Sequence, residues 1–142
     1  MIKSFRGLLQ HEEQETIRLG TNQGLVGYTI VKFQLISNDP KGVSAESVCK
    51  IFTREQDSST ALIDFDDGSL LGVSYFSNSD NPAYVAGLTT IFDHVKFNQD
   101  IYVTMYSALN TEPCNYYIEL EQVQLDVSEA AVATLKDMRG SQ

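Results

Sequence analysis

The chain has 142 residues with an ordinary apolar content, enough for one domain that buries about two-thirds of the surface of its unfolded form. Ten basic and nineteen acidic side chains leave a net charge of −9, which repels a polyphosphate backbone and argues against direct nucleic-acid binding. No apolar run approaches the roughly 20 residues that cross a bilayer, and Met1-Ile2-Lys3-Ser4-Phe5-Arg6 lacks a signal's apolar stretch, so neither a membrane role nor secretion is expected.

In chain order, residues 1–15 open with Phe5, Leu8 and Leu9 and then turn acidic at Glu12, Glu13 and Glu15. This segment is expected to be an arm, packed over an open end of its own core or across a neighbouring subunit. Residues 16–19 read as a short strand that ends at Gly20-Thr21-Asn22-Gln23-Gly24. Residues 25–37 form a richer strand in which Val26, Tyr28 and Ile30 give way to Val31, Phe33 and Leu35, an apolar phase that slips by one. Such a slip predicts a bulge and a curved sheet. Asn38-Asp39-Pro40-Lys41-Gly42 turns the chain into a strand over 46–53, and 54–60 reads as a polar loop.

A short strand is predicted over 61–65 and a longer one over 70–76. Ser77-Asn78-Ser79-Asp80-Asn81-Pro82 is the most loop-like stretch and is expected to face outward. Strands over 89–95 and 100–106 follow; the second alternates Ile101, Val103 and Met105 with Tyr102, Thr104 and Tyr106. The longest strand is predicted over 114–127. Tyr116, Ile118 and Leu120 lie on one side, then the apolar series moves to Val123, Leu125 and Val127, so a β-bulge or a bend near Glu121-Gln122 is expected. A strand this long needs a neighbour on each side and belongs in the centre of a sheet. A helix over 128–139 is announced by Asp126 and Glu129 at capping-box spacing, with Val132, Leu135 and Met138 as its docking stripe.

Many short strands and one terminal helix define an all-β chain. The expected fold is a single antiparallel β-sandwich over 1–142; a jelly roll and a closed barrel are arrangements the pattern also allows.

Chemistry-bearing residues are sparse. Asp64, Asp66, Asp67 and Gly68 fail the spacing of a calcium hand, although a site shared with Asp80 or Asn78 stays open. Gly72-Val73-Ser74 starts like a nucleophile elbow but lacks its closing glycine, and His94 is the one candidate base inside a strand. Cys49 and Cys114 read as buried free thiols, with a single disulfide the alternative; with His11 and His94 they fall short of a zinc site. No catalytic, cofactor or metal-ligating set is therefore assigned. Of the aromatics Tyr75, Phe76, Tyr84, Tyr102, Tyr106, Tyr116 and Tyr117, the outward-facing Tyr102, Tyr106 and Tyr117 suit an interface, Tyr102 and Tyr117 above all. Phe5, Leu8, Leu9, Leu135 and Met138 complete the candidate contact set, with Lys3, Arg6, Lys136 and Arg139 as basic groups near the two ends.

Four segments carry a likeness: Met1-Ile2-Lys3-Ser4-Phe5-Arg6-Gly7-Leu8-Leu9, Phe97-Asn98-Gln99-Asp100-Ile101-Tyr102-Val103-Thr104, Cys114-Asn115-Tyr116-Tyr117-Ile118-Glu119-Leu120-Glu121 and Thr134-Leu135-Lys136-Asp137-Met138-Arg139. They resemble small virion structural proteins of marine tailed bacteriophages. The resemblance implies a non-enzymatic part of the particle, a capsid decoration or cement protein made in the host cytoplasm and bound to the major capsid protein, as a homo-oligomer. A carbohydrate- or receptor-binding module and a small hydrolase are the rival readings.

Overall fold

A computed structural model describes residues 1–20, 24–40, 44–78 and 87–140, the side chains of 136–140 excepted. Among the described residues, eight strands run β1 (Ile2–Leu9), β2 (Gln14–Ile17), β3 (Val26–Ser37), β4 (Glu46–Phe52), β5 (Leu70–Ser77), β6 (Gly87–Phe92), β7 (Ile101–Leu109) and β8 (Cys114–Gln124), followed by helix α1 (Val127–Gly140). They form two antiparallel sheets, a three-stranded one in the order β1-β8-β3 and a five-stranded one in the order β2-β7-β4-β5-β6. This is an all-β sandwich with one C-terminal helix. A jelly roll is a long hairpin rolled up, with strands 1–8, 2–7, 3–6 and 4–5 as its rungs. Here β1–β8, β2–β7 and β4–β5 are paired, but β6 pairs with β5 and not with β3, so the fourth rung is not formed.

The sheets meet over a core of Ile30, Phe33, Ile51, Ile101, Val103, Met105, Ile118 and Leu120, all at most 2% exposed. Each such side chain contributes roughly 1.5–3 kcal/mol by leaving water. Cys49 and Cys114 lie in the same core as free thiols, and burial pushes the Cys114 thiol up to about 11. Among the described residues, no helix is long and apolar enough to cross a membrane.

β8 occupies the centre of its sheet, with β1 and β3 on either side, as its length demands. The two phase slips have different causes. In β3 the slip is a bulge: Ile30 pairs with Leu120 and Lys32 with Glu119, leaving Val31 as the extra residue. The inward row therefore changes from Tyr28 and Ile30 to Phe33 and Leu35. In β8 there is no bulge: its register with β1 is unbroken up to Glu121, and its register with β3 continues past Glu121 to Gln124. Val123 remains on the outer side but packs against Leu125, because α1 covers that end of the outer face. The same cover demands Gly27: a Cβ there would lie 2.8 Å from Leu125 Cδ1.

The expected arm at 1–15 is instead an edge strand and a hairpin. β1 pairs along its whole length with β8, from Ile2 opposite Glu121 to Leu9 opposite Cys114. Its inward row, Lys3, Phe5, Gly7 and Leu9, does not look amphipathic because Gly7 sits against a large neighbour; a Cβ on it would meet Tyr116 Cε1 at 3.1 Å. β2 begins two residues earlier than expected and donates its backbone to β7.

The predicted strand at 61–65 is absent. Residues 53–69 run as an irregular strap across the outer face of the five-stranded sheet. Its ends are tied by Thr53 N–H donating to Ser69 O at 2.8 Å. Gln14 Nε2 donates to Gln56 O at 3.2 Å, Gln56 N–H donates to Gln14 Oε1 at 2.9 Å, and Ser59 Oγ donates to Glu13 O at 3.3 Å. Backbone ties of this kind use no ladder, so 61–65 has no sheet edge to join.

The helix begins where its capping box places it: Glu129 N–H donates to Asp126 Oδ1 at 2.7 Å, and Asp126 N–H donates to Glu129 Oε1 at 3.4 Å. It docks through Ala130 and Ala133 on Leu125, not through the expected stripe. Val132 and Leu135 are 53% and 52% exposed, and the Met138 side chain lies outside the described residues. Buried Asn98 explains the choice of face. Its Nδ2 reaches Gly24 O at 3.0 Å, Ala130 O at 3.3 Å and Thr134 Oγ1 at 3.0 Å, fixing which side of α1 faces the sheet.

Candidate functional site

The outer face of the three-stranded sheet is open over most of its area. Strand register builds it in rows: Leu8, Asn115 and Ile36; then Arg6, Tyr117 and Gln34; then Ser4, Glu119 and Lys32. Leu8 is 43% and Ile36 62% exposed. Between them and Tyr117 lies a shallow depression of about 480 Å³, to which Arg6, Gln34 and Asn115 also contribute.

Tyr117 is held in place. Its hydroxyl donates to Glu119 Oε1 at 2.8 Å, and Lys32 Nζ stands 5.7 Å from its ring centroid. The bond to Glu119 raises the phenol pKa, with the carboxylate charge adding to it and Arg6 acting in the opposite direction. The face thus offers an oriented aromatic ring, a guanidinium, two amides and two aliphatic flanks. That combination suits adhesion to a protein surface, whose hot spots favour Tyr and Arg beside apolar area.

The sequence-derived contact residues separate on this fold. Leu8 and Tyr117 come together on the open face, joined by Ile36, Arg6, Gln34 and Asn115, which the sequence reading did not select. Ile36 is missed because the apolar series Val31, Phe33, Leu35 places it on the polar row. Phe5 and Leu9 face the core and leave the set, Leu9 being 1% exposed. Tyr102 is half-buried on the other sheet's outer side, opposite Thr16 and Phe52. Leu135 is exposed on α1.

The remaining candidates are occupied locally. Ser74 is buried with its hydroxyl 2.8 Å from Thr90 Oγ1, whereas His94 is exposed with its ring edge-on to Phe92; no hydrogen bond joins them among the described residues. Asp64 Oδ1 accepts from Asp66 N–H, and Asp67 Oδ1 accepts from the backbone and hydroxyl of Ser69. No group of metal-ligating side chains gathers among the described residues. Asn78, expected to face outward, accepts from Ala45 N–H through its side chain and donates its own N–H to Ala45 O; Asp80 and 79–82 as a whole lie outside the described residues. His11 Nδ1 accepts from Ser107 N–H at 3.0 Å, its ring against Tyr106.

The sequence reading also missed Lys50. It faces outward on β4, yet it is 5% exposed beneath the strap. Its Nζ donates to Leu62 O at 2.6 Å and Thr60 Oγ1 at 3.3 Å, 5.5 Å from the Phe52 ring. Burial lowers its pKa, and the Asp67 charge opposes that shift. The signal was present in β4, which is apolar on both sides at Val48 and Phe52 and at Cys49 and Ile51. Comparison of this chain with family models, with curated proteins and with solved structures finds no match.

Proposed function

We propose that this protein is a non-enzymatic adhesion module of a virion, a capsid decoration or cement protein that sits on the shell of a tailed bacteriophage. The observation that carries this reading is the open sheet face on which Leu8 and Ile36 flank a fixed Tyr117. The resemblance of the two ends of the chain to marine phage structural proteins supplies the setting. A lattice presents many copies of one site, so a contact patch of modest apolar area suffices there. The partner in this reading is the major capsid protein.

The test is cosedimentation of the purified protein with decoration-free particles. The wild type pellets with the shell, and Leu8→Glu with Ile36→Glu stays in the supernatant. Equal pelleting of both proteins removes the face from the reading; failure of the wild type to pellet removes the capsid as partner.

A second reading is favoured by one feature of the same face: Asn115, Gln34 and Arg6 surround the Tyr117 ring, an arrangement that suits a sugar stacked on the aromatic. A glycan array read with wild type and Tyr117→Ala decides it, since sugar binding requires the ring and shell binding requires the aliphatic flanks.

A further inference from the structure

β6 is the outermost strand of the five-stranded sheet. It pairs with β5 from Gly87 opposite Ser77 to Phe92 opposite Gly72 without a register shift, and its other edge carries no hydrogen bond among the described residues. An open edge is a template for another strand, and proteins blunt such edges with charge, proline, a bulge or brevity. The other three edges of this sandwich follow that rule. β1 carries Lys3 and Arg6, β3 has the Val31 bulge beside Lys32, and β2 is four residues long with Glu15 in it. β6 reads Gly-Leu-Thr-Thr-Ile-Phe, uncharged, unbulged and β-branched at its centre.

We propose that two copies of the chain pair through β6, antiparallel, across a twofold axis at Thr90, joining their five-stranded sheets into one. Opposed residues in such a pair must lie on the same side of the joined sheet, which requires their numbers to sum to an even value. An axis on Thr90 meets this condition and sets Leu88 opposite Phe92 and Thr89 opposite Ile91. A second copy is the fitting occupant because the strand complements itself: it brings no charge to the seam, and it supplies apolar and β-branched partners for its own side chains. Leu88 and Ile91, 46% and 51% exposed, lose part of that exposure on pairing. Phe65, 67% exposed, adds apolar area beside Ile91, where it lines a recess of about 250 Å³ with Phe92. One short ladder buries less than the ~1,600 Å² of a standard interface, so the dimer forms reversibly with concentration.

Sedimentation equilibrium over a wide concentration range reads the proposal. The wild type moves from the 15.8 kDa monomer to twice that mass as concentration rises. Thr89→Lys with Ile91→Lys sets lysine against lysine twice across the axis and stays monomeric, whereas Thr89→Lys with Ile91→Glu sets lysine against glutamate twice and dimerises. Hydrogen exchange on the wild type needs no variant: those amides of 88–92 that point away from β5 slow as concentration rises. A wild type that stays monomeric, a lysine pair that still dimerises, a lysine–glutamate pair that does not, or exchange at 88–92 indifferent to concentration each overturns the proposal. None of these outcomes bears on shell binding through Leu8 and Ile36, which lie on the other sheet.

Discussion

The two sheets of this sandwich bury the same inner face and treat their outer faces in opposite ways. On the five-stranded sheet, Val48, Lys50, Phe52, Val73 and Thr104 point outward and yet are at most 5% exposed, because the strap 53–69 lies over them. On the three-stranded sheet, Leu8 and Ile36 point outward and are exposed, with only the α1 end covered. A half-buried sheet needs just one apolar face. Where this chain makes a second apolar face on the larger sheet, it covers that face with its own backbone. On the smaller sheet it leaves the apolar positions Leu8 and Ile36 bare, the positions on which the proposed contact rests.

Removing the cover tests that difference at its strongest. The strap's ends meet through Thr53 and Ser69, so a short flexible linker can replace 55–66 without separating β4 from β5. The change exposes Val48, Phe52 and Val73, each worth about 1.5–3 kcal/mol when buried, a sum of the same order as the ~5–15 kcal/mol stability of a whole domain. The expected result is an unfolded or aggregating protein, seen as loss of soluble monomer and of a cooperative urea transition. A strapless variant that melts like the wild type means the two outer faces are alike after all.

A smaller effect is expected at Lys50. Lys50→Ala removes both the stem that fills the space beneath the strap and the donor to Leu62 O, and costs about 1–3 kcal/mol in urea unfolding. Lys50→Met keeps the stem and removes the buried charge, so it costs less. pH separates the two contributions. The folded state holds the Cys114 proton to about 11 and also raises the pKa of Cys49, whereas the unfolded chain releases thiol protons near 9, so stability falls as pH rises from about 9 towards 11. Lys50 works in the other direction: its folded pKa is lowered below the ordinary 10.5, so between the two values the unfolded chain holds more protons and stability rises with pH. Lys50→Met therefore steepens the alkaline loss. An unchanged slope from pH 8 to 10.5 shows that the strap does not desolvate the amine.

Sequence alone carried the sandwich because its long strands alternate cleanly. It placed β8 at the centre because a strand of that length must satisfy its backbone on both sides. It found the bulge in β3 because an extra residue moves the apolar row, and the move at Val31 has that cause. The same pattern at Val123 has another cause, a helix covering the outer face, and periodicity cannot tell an extra residue from a change of cover. The docking side of α1 was misread for a related reason. Small Ala130 and Ala133 approach the sheet closely and are fixed by Asn98, while the larger Val132 and Leu135 stay out. Of the candidate face, Tyr117 was legible as an outward aromatic, and Leu8 as a contact residue, though of an arm and not of a paired strand. Ile36 and Arg6 join them only through the pairing of β1 and β3 with β8, a long-range register that no local pattern encodes.

The smallest expected effect falls on the open face, and it decides whether that face is free for binding. Leu8→Glu and Ile36→Glu each replace a side chain already in contact with water, and neither is tied to the core. Surface substitutions of this kind move stability by about 0.5 kcal/mol or less. Glu at position 8 stands beside Asn115, and Glu at position 36 stands beside it from the other strand, so neither directly opposes a carboxylate. The urea midpoint of each variant should therefore match the wild type while shell binding is lost. A stability lowered by more than ~1 kcal/mol in either variant means that Leu8 or Ile36 supports the fold, and lost binding would then report unfolding and not a contact.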